Sequence, residues 1–450
     1  MVLTGRFTLL LAIGVVPVVL FGSLAGAGAA FAALGAWVVL CALLATVDGL
    51  LAGSPRAVAL ERELPPRVRL SESAISTLFV RNVGRRMLRA RVRDGWQPSA
   101  GAPPERPLVR VPPGERRAVV LTLTPTRRGE RHTRQVTVRS LGPLGLAGRQ
   151  ATLAAPGRLR VLPPFHSRKH VPSRLARLRE LDGRTSVMVR GQGTEFDSLR
   201  EYVRGDDVRS IDWRATARRG EQPIGAGTTA TIPRLVVRTW RPERDRRVIL
   251  VLDSSRTAAA RIADEPRFDT AIEASLLLSV IADRAGDRVD LLAFDRRVRA
   301  RVHAASGAEL LSREVDALAD VEPELLEMDW TAIPGQVRAL SSQRALVVLL
   351  TSLDSIGSAR GLLAVLPQLT AKHTVLVASV TDPAVAEATG HLDDRAETYR
   401  AAAAERALLD TRRLADAVRG LGAHVVTGTP EQLPPAVTDA YLALKAAGRL

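Results

Sequence analysis

Cysteine occurs once in 450 residues, at Cys41, which excludes an intramolecular disulfide and every metal site built from several cysteines. Cys41 lies in an apolar run and reads as a packing residue. Lysine is almost as scarce, at Lys169, Lys372 and Lys445, so arginine carries the formal net charge of +17. The arginines are interspersed with Asp and Glu, and aromatic residues make up only 4% of the chain. Single-strand binders interleave stacking residues with positive charge, so no specific nucleic acid is expected as a partner. No G-x-S-x-G elbow, H-E-x-x-H helix or G-x-x-x-x-G-K-[ST] loop occurs. Gly225 to Gly227 with Thr228 and Thr229 is glycine-rich but lacks the lysine of a phosphate loop. The histidines are scattered, and the one close pair, His166 and His170, sits on a proline-rich connector without an acidic ligand nearby.

Apolar material is plentiful at the start. From Phe7 to Ala52 the only charge is Asp48, and a Gly/Ala-rich break lies near Gly22 to Ala30. Residues 1–55 are therefore expected to form a transmembrane helical hairpin, about Phe7 to Phe21 and Phe31 to Leu51. A cleaved signal peptide competes with this reading, but cleavage near Ala27 to Ala33 would leave a spanning helix behind. Arg6 precedes the hairpin and an arginine-rich body follows it, so the positive-inside rule puts both ends in the cytoplasm. The expectation is a two-pass protein of the inner (plasma) membrane with cytoplasmic soluble domains. Asp48, close to a helix end, is expected at the membrane interface.

Residues 56–162 alternate with period two between Pro and Gly clusters, which predicts an antiparallel β-sandwich of about seven strands serving as a spacer or docking domain. The proline-rich stretch Pro98 to Pro113 is expected to be a long exposed connection. Residues 163–245 read as a connector carrying GTEFDSLREYVRGDDVRSIDWRATARRG, dense in both charge signs. One reading is an ion-pair network that clamps the connector onto the next domain. The other is a partner-binding surface made by Arg200, Glu201, Tyr202, Arg204, Asp206, Asp207, Arg209, Asp212, Trp213 and Arg218. Arginine forks hold carboxylates or phosphates bidentately, and an exposed tryptophan beside them suits a contact hot spot.

From residue 246 to 450 strand and helix patterns alternate, which predicts an α/β fold with a mostly parallel, doubly wound sheet. Ligands in such folds bind beyond the carboxyl ends of the strands. The run VILVLDSSRT reads as a buried strand that delivers Asp253 to a loop, with Ser255 and Thr257 at alternate positions. A carboxylate and two hydroxyls converging on one point suit a hard divalent cation. Thr331, in MDWTAIPG, and Asp354, ending the strand ALVVLLTSLD, complete a candidate set of two carboxylates and three hydroxyls. D-S-S at a strand end lacks the second acid that phosphotransferases place there, which leaves a metal-dependent phosphate hydrolase as an alternative. A polyanion-binding surface protein using the arginines is another.

Asp253, Ser255, Thr257, Thr331 and Asp354 together resemble the metal-ion-dependent adhesion site (MIDAS) of von Willebrand factor A domains, with D-x-S-x-T in place of D-x-S-x-S. The resemblance implies that the two aspartates act mostly through water. It also implies that the hydroxyls lie closer to magnesium, with manganese or calcium as substitutes, and that a partner's carboxylate completes the shell. More widely, RRG with SLGPLGLAGR, then EFDSLREYVRGDDVRSIDWRATAR, then LVLDSSRT is similar to the bacterial family called domain of unknown function 58. That family implies a membrane-anchored protein with a von Willebrand factor A-like domain and a MoxR-type AAA ATPase as partner, and the missing catalytic acids and nucleophiles make a non-enzymatic adaptor the leading expectation. The insertion GEQPIGAGTTATIPR between Arg218 and LVVRTW departs from the family's shorter passage.

Overall fold

The computed structural model describes residues 1–185, 195–203, 208, 211–219, 221–223, 231–233, 235–241, 246–263 and 265–450. Arg204, Asp206, Asp207 and Arg209 of the charged motif lie outside the described residues, as do Gly225, Gly227, Thr228 and Thr229. The chain divides into two compact units, Met1–Pro164 and Phe165–Leu450.

In the first unit, Gly5–Ala25 and Ala27–Leu51 are helices long and apolar enough to cross a membrane. The expected break contracts to Gly26, whose φ of 84° is open to glycine and strained for other residues. The Trp37 indole donates to the Leu10 carbonyl at 3.2 Å and ties the two legs together. Two sheets follow. One contains Val58–Glu63, Ala74–Asn82 and Arg116–Leu123; the other is built mainly from Ala147–Leu162, Gly129–Leu141, Leu88–Asp94 and Leu108–Val111, with Val2–Leu3 on its edge. Leu78, Val80, Val119 and Leu121 of the first sheet share one apolar core with Ala90, Val92, Val136 and Val138 of the second. Such alternation is what a sheet with one buried face requires.

One expectation is corrected here. The stretch Pro98 to Pro113 is not an open connection: Ala100 and Val111 are fully buried, and Leu108–Val111 pairs with Leu88–Arg91. Its prolines flank the short edge strand instead of interrupting it, which the ladder tolerates. Asp48, close to the helix end, is fully buried within the unit. Its Oδ1 accepts the N–H of Leu144 at 2.7 Å, and Oδ2 accepts those of Leu146 and Ala147 at 2.7 and 2.9 Å. Gly142 is needed at that turn, because a Cβ would come within 2.3 Å of the Asp48 carboxylate.

The second unit is organised by β1 (Arg247–Asp253), in which every residue after Arg247 is buried. It lies inside a six-stranded sheet of order β3–β2–β1–β4–β5–β6, with β2 Arg288–Phe294, β3 Val298–Ala305, β4 Leu346–Leu350, β5 Thr374–Val380 and β6 His424–Gly428. Neighbours run parallel except for β3, which is antiparallel to β2. Ile249 and Val251 of β1 pack into a core with α3 (Ile333–Leu340), α4 (Ile356–Thr370) and Val418 of α5 (Arg395–Gly420). The other face carries α1 (Arg267–Arg284) and α6 (Leu433–Ala446). Helices on both faces explain why β1 is apolar at successive positions instead of alternating.

Beside α1, the helix α2 (Gly307–Ala319) buries Glu314, whose carboxyl accepts the Ser279 hydroxyl at 2.8 Å. Burial pushes this carboxyl up to about 8 from 4.5, so it stays protonated in the fold at neutral pH. The unfolded chain releases that proton above about pH 4.5, so the Glu314 contribution is fully present below that pH and is lost as pH rises toward about 8. Glu314→Gln is expected to raise the unfolding temperature of this unit at pH 8 while leaving it nearly unchanged at pH 4. Melting curves across that range check the prediction.

Candidate functional site

β1 ends on Asp253, only 3% exposed, at the carboxyl edge of the sheet. The Ser255 N–H donates to Asp253 Oδ1 at 2.9 Å, and the Thr257 hydroxyl donates to Oδ2 at 3.2 Å. The Ser255 and Thr257 hydroxyls lie 3.2 Å apart. The alternate hydroxyls of D-S-S-R-T therefore do meet on one side of the carboxylate. A fourth oxygen joins them: the Thr351 hydroxyl donates to Asp253 Oδ2 at 2.6 Å. Sequence reasoning missed Thr351, although a signal existed. It directly follows β4, and β4 pairs with β1 so that Leu350 stands opposite Leu252.

Thr331 and Asp354 are placed differently from the expectation. The Thr331 loop does reach this end of the sheet, because the Asp329 N–H donates to the Asp295 carbonyl just beyond β2 at 2.8 Å. The Thr331 hydroxyl, however, donates to Asp329 Oδ1 at 2.6 Å. Asp354 is exposed and forms an ion pair with Arg267 at the start of α1. A guanidinium attracts the second carboxylate, whereas Asp253 repels it. Only Asp253, Ser255 and Thr257 of the five are joined by hydrogen bonds among themselves.

Backbone bonds knit the surrounding loops together: Ser254 N–H to the Phe294 carbonyl at 3.0 Å, Glu324 N–H to the Ser254 carbonyl at 3.0 Å, and Arg256 N–H to the Leu326 carbonyl at 2.9 Å. Asp295, fully buried at the end of β2, anchors this knot. Burial alone would raise its carboxyl, but the Arg299 guanidinium and the N–H groups of Arg297 and Arg296 together hold it below the usual range.

Beside the cluster, Asp253, Thr351, Ser352 and Arg267 meet a cavity of about 20 Å³ whose remaining wall is apolar, with Phe268, Leu350, Val380 and Leu433 among its lining; Ser255 and Thr257 do not line it. That is room for one water-sized species. The donors are hard oxygens, which suits a hard divalent cation in kind. No group of three or more His, Cys, Asp or Glu residues able to hold a metal occurs among the described residues. Any cation here would therefore depend on hydroxyls.

The charged motif forms a separate element. Glu195–Glu201, which includes Arg200 and Glu201, pairs antiparallel with Val236–Arg241. The Tyr202 N–H continues that ladder to the Leu235 carbonyl at 2.8 Å. Asp212 caps the helix Trp213–Arg219 by accepting the Ala215 N–H at 3.0 Å. On that short helix Trp213 is 66% exposed and Arg218 is exposed as well.

Residues 198–398 match the family described as protein of unknown function DUF58. The uncharacterized proteins Mb1516 of Mycobacterium bovis and Rv1480 of Mycobacterium tuberculosis are each 27% identical over 199 residues, covering 44% of this chain and 57% of the relative. The chain thus spans a little over half the length of these curated relatives. Among solved structures, the VWA domain of SpRpn10 is 12% identical and covers 44% of this chain and 94% of its own, with a TM-score of 0.27. The CARDB domain of the PF1109 protein from Pyrococcus furiosus is 18% identical over 23% of this chain and 91% of its own, with a TM-score of 0.18.

Thr351→Val keeps the side-chain shape but removes the 2.6 Å bond to a buried carboxylate. We expect a loss of about 1.5–3 kcal/mol, the range for hydrogen bonds to charged groups. Denaturant unfolding of the purified chain measures it.

Proposed function

We propose, from the match of residues 198–398 to the DUF58 family model, that the chain is a membrane-anchored, non-enzymatic adaptor that captures a protein partner through a magnesium site of MIDAS type. The second unit is read as a doubly wound von Willebrand factor A-like domain and the two sheets of the first as a β-sandwich. The observation that carries the proposal is the oxygen cluster at the end of β1. There a buried carboxylate takes hydrogen bonds from Thr257 and Thr351, and the Ser255 hydroxyl lies 3.2 Å from that of Thr257. A carboxylate so fully engaged resembles a ligand more than a general acid, which must have a proton to give.

Asp253, Ser255, Thr257 and Thr351 would hold the cation directly or through water; Asp354 would join on leaving Arg267. When bound, magnesium or a substitute such as manganese or calcium supplies an open coordination position for a partner's carboxylate. The family resemblance names a MoxR-type AAA ATPase as that partner. The helices Gly5–Ala25 and Ala27–Leu51 support membrane attachment. We read the protein as two-pass in the plasma membrane with both soluble units cytoplasmic.

Capture of the ATPase by the full chain in detergent is expected with magnesium and lost with chelator or with Asp253→Ala. Capture indifferent to both treatments overturns the metal-mediated mechanism. Phosphatase activity abolished by Asp253→Ala would instead support the hydrolase, and steep salt dependence of nucleic-acid binding would support the polyanion binder. Arg267 competes with a cation for Asp354, so Arg267→Ala is expected to tighten manganese binding about tenfold, a ~1.4 kcal/mol effect. Manganese electron paramagnetic resonance reads the free ion directly.

A further inference from the structure

We infer that the base of the helical hairpin carries a lipid-binding collar, made by the turns Val83–Met87 and Pro143–Gly145 with the N-terminal residues, that rests in the headgroup layer of an anionic bilayer. The inference rests on the membrane-anchor reading and goes beyond the two helices.

Its starting point is length. The helix Ala27–Leu51 has 25 residues and runs ~38 Å against a hydrocarbon core of ~30 Å, so about a turn and a half is left for the interfacial layer. Asp48 lies in that excess. Its carboxylate is covered by the turn carrying Leu144, Leu146 and Ala147. The other two parts meet at the same place. Arg86 donates to the Leu50 carbonyl at 2.5 Å, Arg89 to the Pro143 carbonyl at 2.9 Å, and the Thr4 hydroxyl to the Gly145 carbonyl at 2.6 Å. All three segments thus lie within a turn of the helix end.

What they present outward is amphipathic. Leu3, Val83, Met87 and Leu144 are 52%, 60%, 49% and 54% exposed. Scattered exposed apolar residues need no explanation, but four around one membrane-helix end do. Arg6, Arg85 and Arg86 stand among them, exposed, and none forms an ion pair with a carboxylate among the described residues. Asp48, at the same helix end, is buried and used by backbone N–H groups. Apolar tips between unneutralised arginines match an interface in which side chains insert at the acyl boundary and guanidinium groups meet phosphates. A protein partner at this place would have to fit beneath the unit, against the bilayer.

The test uses the full chain in vesicles of phosphatidylcholine with or without phosphatidylglycerol. A nitroxide is attached at Leu144→Cys in a Cys41→Ala background, and at Met87→Cys as a second site. Collision with oxygen is expected to exceed collision with a water-soluble nickel reagent at both sites, as for headgroup-depth labels. Arg6→Gln/Arg85→Gln/Arg86→Gln is expected to lower retention of phosphatidylglycerol, each arginine accounting for about fivefold. Labels as open to nickel as a freely solvated one, in a chain that still floats with vesicles after an alkaline wash, overturn the collar alone. Labels shielded from both reagents indicate a protein contact and overturn it too. Failure to float removes the anchor reading itself.

Discussion

A negative charge buried at the end of an apolar strand must be compensated, and much of the second unit serves that requirement. β1 carries Asp253 out of a run in which every neighbour is a hydrocarbon side chain. Left bare, a carboxylate there would be strongly disfavoured. The chain answers with the Ser255 N–H and the Thr257 hydroxyl from the loop after β1 and with the Thr351 hydroxyl from the end of β4. These donors come from two distant parts of the sequence, so the β1 loop and the end of β4 cannot shift independently. These same hydrogen bonds make this strand end tolerable with no cation present.

The first unit solves a related problem at Asp48, by a different route. Here the charge is met by three backbone N–H groups of one sheet turn instead of by side chains. Backbone donors in a tight turn are already aligned, so they hold a carboxylate without further ordering of side chains. The result is a rigid joint between a helical hairpin and a sheet, made from one acid and a glycine that leaves room for it.

The parts of this architecture legible in sequence were those with a period. Alternation in ISTLFVRN and RQVTVRS, and the unbroken apolar run of VILVLD, each announced a strand and its environment. The D-S-S-R-T spacing likewise anticipated that Ser255 and Thr257 would meet beside Asp253. What stayed hidden depended on register between distant segments. Thr351 reaches Asp253 because β4 pairs with β1 residue for residue, which no local pattern records. Arg267 takes Asp354 because the start of α1 lies beside the loop after β4, a contact 87 residues apart in sequence. Pro98 to Pro113 hid its strand because the proline-free run Leu108–Val111 is only four residues long and its partner Leu88–Arg91 lies outside the proline-rich stretch. The partners of Asp48 stayed hidden because a lone acid in an apolar helix has no visible partner until the turn arrives from about a hundred residues away.

The single-residue link at Gly26 has a consequence of its own. If the two helices cross a bilayer, the far face of the membrane meets one glycine and the helix ends around it. Among the described residues, only this glycine and the helix ends flanking it would then lie on that side, so any contact made there would fall on Ser23, Leu24, Ala25 and Ala27 around a backbone turn that glycine alone adopts without strain.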